Sequence, residues 1–101
     1  MELAEKIYGC IAEKLGAYSL LNLLHEIQDK STLATINEFF MEHYHKSLNE
    51  YINEIFGVEE LYAISSTITY IREPNRHNHK MMDKFYKGIG YPGIYAKKGA
   101  V

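Results

Sequence analysis

Leu3, Ile7, Cys10, Ile11 and Leu15 recur at steps of three and four with glutamates and lysines between them, which is the one-sided pattern of an amphipathic helix. Gly16 is the predicted stop. A second helix is predicted from about Ala17 to Asp29, with Leu20, Leu21, Leu24 and Ile27 as its stripe, and the very short connection makes the two an antiparallel hairpin. Ser31 or Thr32 is predicted to cap a third helix, and Thr35 with Glu38 also fits a capping box, in which hydroxyl and carboxylate satisfy free amides reciprocally. From there Leu33, Ile36, Phe40, Tyr44, Leu48, Tyr51 and Ile55 advance by three or four with no breaker before Gly57. That run predicts one long helix, the spine of the fold.

Beyond Gly57 two signals compete. Val58, Leu61, Ile64, Ile68 and Ile71 keep helical spacing, while Ser65-Ser66-Thr67-Ile68-Thr69-Tyr70-Ile71 is rich in the branched residues that strands favour. A strand needs a partner, and the other candidate, around Tyr91 to Ala96, is interrupted by Pro92 and Gly93, so helix is the prediction. Pro74 ends it, because its ring disfavours helical geometry in the preceding residue. A last helix is predicted from Arg76 to Lys87. The fold class is therefore mainly α: one domain over residues 1–101, a small bundle of four to five helices with a short, basic, Gly- and Tyr-rich C-terminal arm at 88–101. No internal repeat, low-complexity tract or linker divides it.

With 47% hydrophobic and 24% charged residues and only two prolines, the chain has the apolar content to build a core and is not of the disordered type. The single cysteine, Cys10, has no partner for an internal bridge and falls on the apolar stripe of the first helix, so it is predicted to be a buried thiol. The start, Met1-Glu2-Leu3-Ala4-Glu5, is acidic where a signal peptide is basic, and no apolar run approaches bilayer length. A cytoplasmic protein without a membrane partner is expected.

Charge changes the picture more. Residues 1–60 hold eleven acids against four lysines, a balance of −7, whereas residues 61–101 hold seven cations against two acids, a balance of +5. Such asymmetry implies an anionic partner or a second copy of the chain in a homodimer.

The candidate chemistry is sparse. Gly88, Gly90 and Gly93 have the G-x-G-x-x-G spacing of a phosphate cradle, but that motif follows a strand and opens a helix whose amides face the phosphates. Here only eight residues follow it, and Pro92 inside it has no amide hydrogen. His43-x-His45 and His77-x-His79 suggest paired metal ligands, yet residues two apart on a helix point about 200° from each other, whereas one ion wants a spacing of four. No metal site and no cofactor is expected. His43 and His45 are predicted to border the core or an interface, and His25 to be an ordinary helix-surface residue. Arg72-Glu73-Pro74-Asn75-Arg76-His77 carries an arginine followed after four residues by a histidine. It resembles the pairing in HEPN-type helical ribonucleases, which implies a metal-independent ribonuclease with Arg72 holding phosphate and His77 handling protons. Pro74 departs from that pattern by setting the two on separate elements.

Arg72, Arg76, Lys80, Lys84 and Lys87 recur every three or four residues and form one positive face, with Met81, Met82 and Phe85 on a docking side. Nine tyrosines add bodies that suit interfaces. Bundle packing accounts for Tyr44, Tyr51 and Tyr62, and leaves Tyr91 and Tyr95 for a partner. The partner-binding residues are thus predicted to be Arg72, Arg76, His77, His79, Lys80, Lys84, Lys87, Tyr91, Tyr95, Lys97 and Lys98. The expected function is that of a small non-enzymatic binding protein, an inhibitor or regulator that occupies the surface of a partner protein, with a nucleic-acid-handling protein as the candidate partner. In general character it resembles the compact inhibitors encoded by phages and mobile elements. Direct RNA or DNA binding through residues 72–98 is the alternative, with ribonuclease activity behind it.

Overall fold

The computed structural model describes residues 1–93, which form six helices and no strand: α1 (Glu2–Ala12), α2 (Ala17–Leu24), α3 (Lys30–Tyr44), α4 (Leu48–Ile55), α5 (Val58–Arg72) and α6 (Arg76–Ile89). The expected four to five helices become six because the run from Leu33 to Ile55 is broken. His45 adopts a left-handed conformation, φ 64°, and ends α3, after which the Ser47 side chain accepts a hydrogen bond from the Glu50 amide at 3.2 Å and starts α4. Ser47-Leu48-Asn49-Glu50 has the sequence of a capping box, of which the Ser47 half is made, hidden inside an unbroken apolar periodicity. The break is fastened by Lys46, which contacts both Glu54 oxygens at 2.6 and 2.9 Å, and by the Tyr51 hydroxyl, which donates to the carbonyl of Tyr44 at 2.9 Å. Tyr8 of α1 stacks on Tyr44 at 3.6 Å, both meet Phe40 edge-on, and Tyr51 meets Tyr8 and Phe40 edge-on. This aromatic cluster joins α1, α3 and α4.

Two other boundaries move. The second helix stops at Leu24 instead of Asp29, and Asp29 itself caps α3 by accepting from the Thr32 amide at 2.8 Å. That bond holds the Asp29 carboxyl below its ordinary value. Leu15, expected on the first apolar stripe, lies past the end of α1 and is 58% exposed. Lys14 before it has φ 54°, with the Leu15 amide bonded to the Cys10 carbonyl and the Lys14 amide to that of Ile11, the paired pattern of a Schellman stop. Cys10 is buried, and burial, then Glu13, pushes its thiol up.

The segment with strand-favouring residues is helical. Ser66 and Thr67 turn their hydroxyls back onto the Ala63 carbonyl at 2.9 and 2.8 Å, the way such residues live inside a helix. Ala63, Ile64, Thr67 and Ile68 are buried against the neighbours. α5 packs on α2, α3 and above all α6, while α1 packs on α2 and α3. The acid-rich first helix packs mainly on α2 and the basic last helix mainly on α5. No helix among the described residues is long and apolar enough to cross a membrane.

Candidate functional site

α6 begins where Pro74 ends α5. Asn75 caps it by accepting from the Asn78 amide at 2.8 Å, and the Asn78 side chain donates to the Glu73 carbonyl at 2.8 Å, closing the turn. At about 100° per residue, Met82, Phe85, Tyr86 and Ile89 fall on one side of the helix. Met82 and Tyr86 are buried there and Phe85 and Ile89 half-buried. Arg76, Lys80, Lys84 and Lys87 fall on the other side within an arc of about 80° and along about 16 Å of helix. All four are exposed, as is His77 at the edge of the stripe.

These cations have few acids for company. Lys87 lies 3.3 Å from Asp83, one turn earlier, with both side chains more than half exposed. Among the described residues the other ion pairs sit in the N-terminal part: the chain's amino group with Glu5, Lys6 with Glu2, and Lys46 with Glu54. None joins an early glutamate to α6. Arg72 and His79 lie off the stripe. Arg72, the last residue of α5, lines a shallow groove with Lys30, Ser31 and Asn37 of α3. The His79 ring meets Tyr70 edge-on at 5.6 Å. Arg72 and His77 stand on separate helices on either side of Pro74, and among the described residues no hydrogen bond joins them.

Tyr91 corrects the sequence expectation. Gly90, at φ 72°, is the left-handed stop of α6. The Gly90 amide donates to the Lys87 carbonyl at 3.2 Å and the Tyr91 amide to that of Tyr86 at 2.9 Å, again a Schellman closure with its apolar contact, here Tyr91 on Tyr86 with ring centroids 4.8 Å apart. Tyr91 is only 6% exposed, and its hydroxyl donates to Asn22 of α2 at 2.6 Å. It locks the end of α6 to the bundle, with its ring buried where exposure was expected. The glycine motif thus begins inside the last turn of α6, and its Gly90 supplies the helix stop. Tyr95, Lys97 and Lys98, with the rest of the expected arm from residue 94 on, lie outside the described residues.

A polar cluster escaped the sequence. His25, expected on the surface, is half-buried at the end of α2. Its Nε2 is 2.8 Å from the Tyr86 hydroxyl, which is 2.5 Å from the Thr67 hydroxyl, which bonds the Ala63 carbonyl at 2.8 Å. Counting protons fixes the direction. The carbonyl only accepts, so Thr67 must spend its proton there, Tyr86 must donate to Thr67, and His25 must donate from Nε2. Burial holds the His25 imidazole below its ordinary value and, as the larger influence, raises Tyr86 well above its own. Sixty-one residues separate His25 from Tyr86, so only the fold brings them together.

Among the described residues no three His, Cys, Asp or Glu side chains converge as metal ligands. On the acidic side, Glu2, Glu5, Glu13 and Glu26 rim, together with Lys6 paired to Glu2, a groove of about 630 Å³ between α1 and α2. No protein-family model matches the chain, and neither a curated protein nor a solved structure matches it. The class this leaves is a small, mainly helical protein, with six helices among the described residues and a basic face on α6.

Proposed function

We propose that the chain is a non-enzymatic binding protein that works by covering an anionic surface of its partner with the basic face of α6. The observation that supports this most is the stripe Arg76, Lys80, Lys84 and Lys87, turned outward on a helix whose other side is anchored in the core, with one exposed pair, Lys87 with Asp83, as its internal neutralisation. Asp83 offsets one of the four charges, and the stripe stays net positive. Anchoring at both ends, by Asn75 and by Gly90 with Tyr91, presents the cations as a rigid row, which lowers the entropy lost on binding.

Replacing the four cations together by glutamine (R76Q/K80Q/K84Q/K87Q) should leave the helical circular-dichroism spectrum intact and abolish capture of the partner from native lysate. Retention of the same partner by the substituted protein would remove the stripe from the interface.

A second reading is favoured by the acid-rimmed α1/α2 groove. Its carboxylates present a phosphate-like array to a cationic site on a nucleic-acid-handling protein, which the chain would inhibit by occupation. That reading expects a complex that survives nuclease treatment and is lost when Glu2, Glu5, Glu13 and Glu26 become glutamine.

A further inference from the structure

We infer that the groove between α5 and α6, beside the basic stripe, is a subsite for an unpaired nucleobase, and that the anionic partner of α6 is a single-stranded nucleic acid. The inference rests on the reading of α6 as the binding face and names its ligand. Tyr62 and Phe85 meet across the two antiparallel helices with centroids 5.3 Å apart and planes inclined at 46°. They form one wall of a groove of about 250 Å³ that also takes in Ser65, Thr69, Asn78 and Met81. Tyr62 is 53% exposed. The tyrosine, which bundle packing was expected to account for, therefore does not serve the core, and it holds an aromatic face open to solvent.

Position makes the groove more than an exposed tyrosine. On α6, Lys84 and His77 project on the side of the stripe nearest Met81 and Phe85, about 40–60° round the helix from Met81. The Lys84 ammonium already sits 5.8 Å from the Phe85 ring centroid, so the cationic row borders the aromatic wall. A strand whose phosphates follow Lys80, Lys84 and Lys87 would carry its bases within reach of Tyr62, and the exposed hydroxyls of Ser65 and Thr69 would meet base edges or sugar oxygens. Combining a cationic track with a stacking face is how proteins hold unpaired strands, because every base offers a π-face. The Tyr62 and Phe85 rings are too close to admit a base between them, so the base stacks on the open face of Tyr62. A duplex has no such face to offer, its bases being stacked on one another. An acidic peptide would use the stripe and have no need of Tyr62. Glu59, exposed one turn before Tyr62, closes that end of the track by repulsion.

The test is fluorescence anisotropy with a labelled short oligodeoxythymidylate, a duplex of the same length and polyglutamate, at low salt, on the full chain. The chain is taken as wild type, Tyr62→Ala, Tyr62→Phe and K80Q/K84Q/K87Q. The single strand should bind more tightly than duplex or polyglutamate. Tyr62→Ala should weaken it by between about fivefold and a hundredfold, the range that loss of one base–aromatic stack gives, with the salt dependence unchanged. Tyr62→Phe should bind as wild type does. K80Q/K84Q/K87Q should weaken every polyanion and flatten the salt dependence. If Tyr62→Ala binds the single strand as well as wild type does, or duplex or polyglutamate binds as tightly as the strand, the base subsite is wrong and the basic face of α6 stands. If no polyanion binds at low salt, the reading of α6 falls and the subsite with it.

Discussion

His25 shows how one residue's surroundings change its chemistry. In the unfolded chain its imidazole titrates near 6.5, and in the fold burial lowers that value. The folded state then resists taking up a proton that the unfolded state accepts, so the stability His25 contributes is complete above about pH 6.5 and is lost as pH falls through the folded value. An NMR titration should place the His25 midpoint below 6.5, and urea unfolding at falling pH should show a loss in wild type that His25→Gln lacks. A midpoint at or above 6.5 would contradict the burial. Removing the hydroxyl to which His25 donates, in Tyr86→Phe, should cost about 1–3 kcal/mol, the price of a buried donor left without a partner. Lys14 offers the opposite sign. It holds a left-handed conformation without being glycine, so Lys14→Gly should raise stability by about 0.5–1 kcal/mol in the same assay.

At the scale of elements, boundaries depend on capping chemistry more than on apolar rhythm. α3 and α4 read as one helix because Leu33 through Ile55 keep step. What divides them is the box from Ser47 to Glu50 and a left-handed His45, a polar signal of four residues against an apolar one of twenty-odd. Ser47→Ala should cost about 1 kcal/mol by thermal unfolding, whereas Thr35→Ala, at the box the sequence also offered, should cost little, since the Thr35 hydroxyl only bonds back to the Ser31 carbonyl. Gly90→Ala should cost about 1–2 kcal/mol for the left-handed position alone, and the added methyl would lie 3.2 Å from the Tyr18 hydroxyl.

The helical class, the first apolar stripe as far as Ile11, the helix from Val58 and the basic face from Arg76 to Lys87 were legible because each rests on periodicity within one element, whereas Leu15 and Arg72 fall outside those elements. Tyr62 and Tyr91 were misassigned in opposite directions, one exposed where burial was expected and the other buried where exposure was expected. Whether a tyrosine faces in or out is decided by which helix lies across from it, and that is a tertiary fact. The cluster of His25, Tyr86 and Thr67 was illegible for the same reason.

Over the whole molecule, the charge split along the chain survives folding in one respect: among the described residues no ion pair ties an N-terminal acid to a cation of α6. α1 does not pack closely on α6, and α6 turns its cations away from the α5 it packs on. Had the lysines of α6 been matched one by one with early glutamates, the fold would have consumed the asymmetry in its own stability. Left unmatched, the stripe costs the folded state some self-repulsion and is free for an external anion.

The most direct measurement is the salt dependence of oligodeoxythymidylate binding by wild type and by R76Q/K80Q/K84Q/K87Q. Four phosphate contacts predict a slope of about −3 in log affinity against log salt for a single strand, falling towards zero in the substituted protein. Equal slopes for the two proteins, or no binding by the wild type at low salt, would contradict the account.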